Sequence, residues 1–286
     1  LSLRNDFQKN GFVLVPGVLS AKEVQHLREI LDKEYEKTPE KHLLAAPNLL
    51  PIPEIVDVVS NAKILKAISE AFNHDFVVMP TIQVLRNMFA RPKVAWHCDA
   101  GSEMRNDYIY ANGYCQVKCG VYLQDNTVEW GGGIDVVPGG HRFPLRTGFR
   151  KFDRHLKYRL NRLGQKYSSY MVPIKAGDCV FFHSLLPHRS TYPTMFENQV
   201  RDENSKNYIV NVPEQRRKYS VYWDFASPVA AKGYLQHQVR LANHEVPGYG
   251  KNSAAEDYLS LRYPTDFPDV MVERLKGHNT FVMTPG

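Results

Sequence analysis

The sequence predicts a mainly β fold, an antiparallel sandwich or barrel with helical additions at both ends. Three observations carry this expectation. Apolar, β-branched or alternating runs recur at 75–89, 113–125, 132–139, 170–183 and 217–226, each bounded by Gly/Pro-rich turns. Long loops join these runs, and no helices alternate regularly with them, which argues against a parallel α/β sheet. Helical periodicity gathers instead before and after the β region and in one basic insertion.

Taken in order, GFVLVPG (11–17) reads as a strand. A helix follows, opened by Ser20 with Glu23 three residues on, a capping-box pattern that leads into VQHLREILDKEY. In NAKILKAISEAF (61–72), Ile64, Leu65, Ile68 and Phe72 fall on one helical face, as packing on a sheet requires. The β texture then holds from about 75 to 226, interrupted by a helical insertion at about 142–168 and a polar, lid-like loop at about 189–215. Beyond about 227, YLQHQVRLANH and AAEDYLSLRY return to helix and loop. The expectation is a single domain over 1–286, with a β core at about 75–226 and a C-terminal helical extension at about 227–286.

Composition excludes several classes. Hydrophobic residues at 43% and charged residues at 23% describe a globular chain rather than a disordered one. No run reaches the ~18 apolar residues of a membrane span, and LSLRNDFQKNGF has no signal-peptide core. A cytoplasmic protein is expected, with a start at Leu1 that leaves room for a trimmed targeting segment. Cys98, Cys115, Cys119 and Cys179 are too few and too dispersed for a disulfide-stapled domain. Cys115 and Cys119 lie in the strand-like YCQVKCGVYL with no second Cys/His pair of zinc spacing, which argues against structural zinc.

The net charge of +6 is unevenly placed: Arg142–Lys166 carries nine Lys/Arg against one acid, Asp153. A solvated helix face is one reading. The other is a field that attracts an anionic substrate, or one borne on an anionic carrier. No zinc-finger or RNP-like signature accompanies the charge, so nucleic acid is not expected. Gly131–Gly133 and Gly139–Gly140 lack both a GxGxxG spacing and a following GK[ST], which makes them turns rather than a phosphate cradle.

In VAWHCDAG, His97 and Asp99 stand two apart, so in an extended segment their side chains leave the same face and can share one metal, while Cys98 faces away. Fe(II) in an oxygenase takes two imidazoles and a carboxylate on one face of an octahedron, leaving three positions for cosubstrate and O2. A second histidine is required, and KAGDCVFFHSLLPHRS offers His183 and His188 at the end of an apolar strand.

Four segments, WHCDAG (96–101), GVYLQDNTVEWGGGIDVVPGGHR (120–142), AGDCVFFHSLLPHRS (176–190) and RRKYSVYW (216–223), together with GFVLVPGVLS (11–20), resemble the phytanoyl-CoA dioxygenase family of Fe(II)/2-oxoglutarate oxygenases in both residues and order. The resemblance implies a double-stranded β-helix, the cupin-like jelly roll, with His97, Asp99 and His188 as the metal ligands. It favours His188 over His183, because the family pattern runs through an apolar stretch to the ligand histidine. Intact Asp99 disfavours the family's halogenating branch, in which Gly or Ala replaces the carboxylate. Hydroxylation is the default outcome, with desaturation or cyclisation as variants, and succinate and CO2 are the co-products.

The family also binds the distal carboxylate of 2-oxoglutarate with an arginine, which a planar guanidinium suits. Arg189, Arg201, Arg216 and Arg217 are candidates. Arg216 is chosen because it stands four residues before Ser220, as in the family, and Ser220 is expected to add a hydroxyl contact. Its distance of 28 residues from His188 exceeds the family's usual spacing. Gln83 and Gln116, polar positions in β-like runs, are placed with them among the cofactor contacts; Lys118 and Trp223 are offered as substrate-facing. The rival readings are a cupin-like dioxygenase or isomerase that uses no 2-oxoglutarate, and a non-catalytic β-helix binding protein.

Overall fold

The computed structural model describes residues 2–39, 43–72, 75–87, 96–101, 107–142, 169–191, 193–194, 217–242, 267–278 and 280–282. Most of both insertions, and the segment AAEDYLSLRY, lie outside these residues. Among the described residues the chain is mainly β with flanking helices, and no helix there is long and apolar enough to cross a membrane.

The N-terminal part is helical with one strand. Helix α1 (Leu3–Asn10) is capped by the Ser2 hydroxyl and ends at Gly11, whose φ of 80° is the left-handed conformation that favours glycine. Strand β1 (Phe12–Val15) follows. Helix α2 (Ala21–Glu36) starts at the expected capping box: the Glu23 amide donates to Ser20 Oγ, and the Ser20 amide donates to Glu23 Oε2. A short strand β2 (Leu43–Ala45) and the helices α3 (Ala46–Leu49), α4 (Pro53–Val59) and α5 (Ala62–Ala71) complete this layer.

The run at 75–89 divides into β3 (Phe76–Val78) and β4 (Gln83–Asn87). Pro80 lies between them and has no N–H to give to a ladder. Strand β5 (Gln116–Tyr122) and β6 (Ile134–Val136) follow, and the run at 170–183 also divides, into β7 (Tyr170–Met171) and β8 (Cys179–His183), around a turn at Gly177 (φ 91°). The remaining elements are β9 (His188–Ser190), β10 (Lys218–Ala226), α6 (Pro228–Ala242), α7 (Asp269–Lys276) and β11 (Thr280–Val282). Helices α1, α3, α4 and α7 and strands β2 and β11 were not among the sequence expectations.

Two sheets result. The larger runs β1-β8-β5-β10-β3-β11, with β4 also paired to β10 and β2 to β4. The smaller has the order β7-β6-β9. All pairs are antiparallel except β11 with β3.

Because strand side chains alternate, the larger sheet has two distinct faces. One packs Val117, Cys119 and Val121 of β5, Phe181 of β8, and Tyr219, Val221, Trp223 and Phe225 of β10 against Leu31 and Tyr35 of α2 and Ile64 of α5. The other joins Tyr122, Val180, Phe182 and Tyr222 to Ile134 and Val136 of the smaller sheet, with Val172, Ile174 and Leu186. Gly120 is needed on this second face, since a Cβ there would stand 2.7 Å from the Tyr222 ring.

The helix-side core holds the larger sheet in register. Ile64 is fully buried there, so Ile64→Ala is expected to cost about 2–5 kcal/mol, read as a lower urea midpoint at an unchanged slope. A loss within error of zero would show that α5 does not brace the sheet.

Candidate metal centre

His97 and His188 lie opposite each other in an isolated antiparallel bridge: the His97 amide donates to His188 O (3.0 Å) and the His188 amide to His97 O (2.9 Å). Their rings therefore emerge together, with centroids 4.3 Å apart. After Cys98 the chain enters a 3-10 turn, Asp99–Gly101, held where the Ala100 amide donates to Ser184 O (3.1 Å). The sequence expectation of an extended segment through Asp99 is thus replaced by a turn. Asp99 Oδ1 still lies 3.6 Å from His188 Nε2 and 4.0 Å from His97 Nε2. The three ligand atoms all fall within 4.8 Å of one another, close enough to share one ion.

The tautomer of His188 follows from its partner. Its Nδ1 lies 2.9 Å from Leu186 O. A carbonyl only accepts, so Nδ1 carries the proton and Nε2 presents a lone pair towards Asp99. Burial holds the His188 imidazole below its usual range, against the pull of Asp99, which keeps it in the neutral form a metal needs. Burial by itself would raise the Asp99 carboxyl, but Lys118, His188 and His97 together keep it below the ordinary carboxylate range. Its Oδ2 is buried and has no hydrogen-bond partner. Two imidazole nitrogens and an under-partnered carboxylate form the mixed donor set that Fe(II) oxygenases use, so the residues present fit such an ion. The His97 side chain is 50% exposed, which leaves the centre open on that side.

Cys98 points away from the cluster. Its thiol donates to Leu185 O (3.3 Å) and is pushed up to about 12, by burial first and then by the Asp99 charge. His183, the other histidine that the spacing allowed, shares the helix-side face of β8 with Cys179 and Phe181. Its Nδ1 accepts from the Leu185 amide (3.1 Å), and its ring lies 5.4 Å from that of His141. Burial, helped by His141, brings His183 down to about 3.

Among the other expected residues, Arg216 and Arg201 lie outside the described residues. Arg217 turns to the helix side, 3.8 Å from Asp32 of α2. Arg189 pairs with Asp135 (3.0 Å) and stacks over Trp96 (4.9 Å). Ser220 is fully buried on the inner face of β10, and Gln83 pairs opposite Tyr222 on β4. Gln116 also lies on the inner face and donates from Nε2 to Asp224 Oδ1 (3.5 Å). Lys118 reaches Asp224 (3.0 Å) and approaches Asp99 (3.9 Å).

Trp223 requires a correction. It is fully buried within the helix-side core, on the face of β10 opposite Tyr222, so it does not face the cluster. Asp224 was missed, although the two-residue alternation in RKYSVYWDFA places it on the same face as Ser220, an acid inside an aromatic run.

Comparison with known proteins agrees with this picture. The family model for phytanoyl-CoA dioxygenase matches residues 7–192. Similar solved structures include the non-heme α-ketoglutarate-dependent carbocyclase SnoK from nogalamycin biosynthesis, with 18% identity, coverage of 79% of this chain and 83% of that one, and a TM-score of 0.54. EvdO2 from Micromonospora carbonacea var. aurantiaca, complexed with 2-oxoglutarate, has 17% identity, coverage of 78% and 89%, and a TM-score of 0.52. The epimerase SnoN in complex with Fe3+, α-ketoglutarate and nogalamycin RO has 19% identity, coverage of 87% and 91%, and a TM-score of 0.50. At these identities the likeness is one of fold. A search of curated proteins gave no match.

Asp99→Ala and His188→Ala are each expected to abolish stoichiometric Fe(II) binding in an anaerobic calorimetric titration; undiminished binding in either would remove that residue from the ligand set. A second expectation concerns pH. Folded His183 stays neutral down to about 3, whereas an unfolded histidine takes a proton near about 6.5. Its contribution is therefore complete above that value and is lost as the pH falls towards 3. His183→Gln should lose less stability than wild type between pH 7 and pH 5 in urea denaturation; parallel losses would reject this origin.

Proposed function

The chain belongs to the phytanoyl-CoA dioxygenase family of Fe(II)/2-oxoglutarate-dependent oxygenases, and from that premise we propose that it oxidises a small organic molecule at one Fe(II) held by His97, Asp99 and His188. The observation that carries the reading is the convergence of the His188 Nε2 lone pair, His97 and the half-buried Asp99 carboxylate on one point. Fe(II) with 2-oxoglutarate would supply the activation of O2, with succinate and CO2 as co-products. Hydroxylation is the default. Desaturation or ring formation remain open to the same site, and among the proteins of like fold one is described as a carbocyclase and another as an epimerase.

The chain's own residues would do three things. The Leu186 carbonyl fixes the His188 tautomer, and such outer partners orient metal ligands. Phe182, whose ring lies 4.7 Å from that of His188, forms with Tyr122 and Tyr222 an aromatic wall that excludes water on the sheet side. A cation near the start of β10 would take the far carboxylate of the cosubstrate. Arg216 is our choice. Arg189 is already paired with Asp135, Arg217 is turned towards Asp32, and Arg216 has the same parity as the inner-face residues Ser220 and Tyr222. Ser220, Gln83 and Gln116 are proposed as further cosubstrate contacts from that face. Two sheets facing each other across one apolar cluster also support a double-stranded β-helix, within one domain spanning the chain.

The test is anaerobic titration of the Fe(II)-loaded protein with 2-oxoglutarate, followed by visible absorption. A saturable charge-transfer band is expected, and Arg216→Ala should weaken the cosubstrate while leaving Fe(II) affinity intact. Bound iron without a band would favour a cupin-like enzyme that uses no 2-oxoglutarate or a non-catalytic binding protein. Unchanged cosubstrate affinity in the variant would move the role to Arg201.

A further inference from the structure

Lys118 on β5 and Asp224 on β10 are direct cross-strand partners, both on the face that carries the aromatic wall of the metal centre. Their Nζ–Oδ2 distance is 3.0 Å, the Asp224 side chain is 1% exposed and that of Lys118 13%. Asp224 is anchored further: Thr81 Oγ1 donates to its Oδ2 at 2.5 Å, and Gln116 Nε2 donates to its Oδ1 at 3.5 Å. Beyond this pair lies Asp99, whose Oδ2 is 3.9 Å from the same ammonium. Asp99 thus divides its two oxygens: Oδ1 faces both imidazoles, and Oδ2 faces Lys118.

A buried ion pair is weak evidence for stability, because desolvating two charges cancels much of their attraction. The pair also has no net charge with which to attract an anionic ligand. What it does provide is a cation fixed at one point beside the carboxylate of a metal ligand. A carboxylate free to turn can bind an ion through both oxygens, and the second would occupy a position that cosubstrate needs.

We propose that Lys118, held in place by Asp224, is a positioning residue that keeps Asp99 a one-oxygen ligand, with Oδ1 for the metal and Oδ2 for the ammonium. This inference rests on the metal-centre reading above. The carrying link is the row Asp224–Lys118–Asp99, in which two carboxylates share one ammonium at the inner face of the sheet.

The experiment uses Co(II), whose visible d–d absorption reports coordination number without turnover. Lys118→Met alone would strand a buried Asp224, so the main variant is Lys118→Met/Asp224→Asn, whose introduced amide can still pair with Thr81 and Gln116. Lys118→Gln, which leaves a donor for Asp224, is the second variant should the first fail to fold. The folded variant is expected to keep the wild-type circular dichroism and to show an altered d–d spectrum, as a second Asp99 oxygen reaches the metal. An unchanged spectrum with Co(II) bound would overturn the proposal and leave the pair a purely structural one. Wild-type protein that binds no Co(II) would instead overturn the metal-centre reading on which the proposal depends.

Discussion

The register of β10 between β5 and β4 is the constraint on which the rest of the structure depends. Ser220, Tyr222 and Asp224 pair with Tyr122, Gly120 and Lys118 on one side, and Ser220 and Tyr222 pair with Leu85 and Gln83 on the other. A slip by one residue would exchange the faces of the strand. Trp223 and Phe225 would leave the helix-side core for the interior, and Asp224 would enter an apolar layer with no cation to meet it. The packing on both faces therefore selects one register, and that register also places the aromatic wall and the buried charges next to the metal centre.

The centre joins two parts of the chain that are far apart in sequence. Its backbone frame is the two-bond exchange between His97 and His188, and the Asp99 turn is tied to Ser184 in the loop after β8. Positions of this kind on a rigid scaffold suit metal chemistry, because ligand orientation is settled before any ion arrives. Electrostatics act in the same direction. The buried His188 is kept neutral, and the Asp99 carboxyl is kept ionised by Lys118 and the two imidazoles beside it. Burial favours the neutral imidazole directly, whereas for Asp99 it acts the other way and is outweighed by those neighbours.

Local signals in the sequence were read with success where the physics is local. The Ser20–Glu23 capping box needs residues three apart, and it forms as expected. The apolar stripe of Ile64, Leu65 and Ile68 is buried in the helix-side core, because a helix face is set by its own period. Long β-like runs were less well read. Pro80 and the turn at Gly177 each divide a run that looked continuous, since apolar content does not mark where a ladder loses a donor or the chain reverses. Helix α1 was missed because only Phe7 along it is buried, which leaves little apolar periodicity to read.

The sequence by itself determined the donor types and their order: a histidine and an aspartate two apart, then histidines at the end of an apolar strand. It left His183 and His188 as alternatives, and only a family resemblance ranked them. Tertiary structure decided the outcome, because His188 pairs back onto His97 while His183 points into the helix-side core. It also removed Trp223 from the site and brought Asp224 to Lys118. Strand alternation says which residues share a face, but which face meets the metal centre is settled by partners that lie tens of residues away.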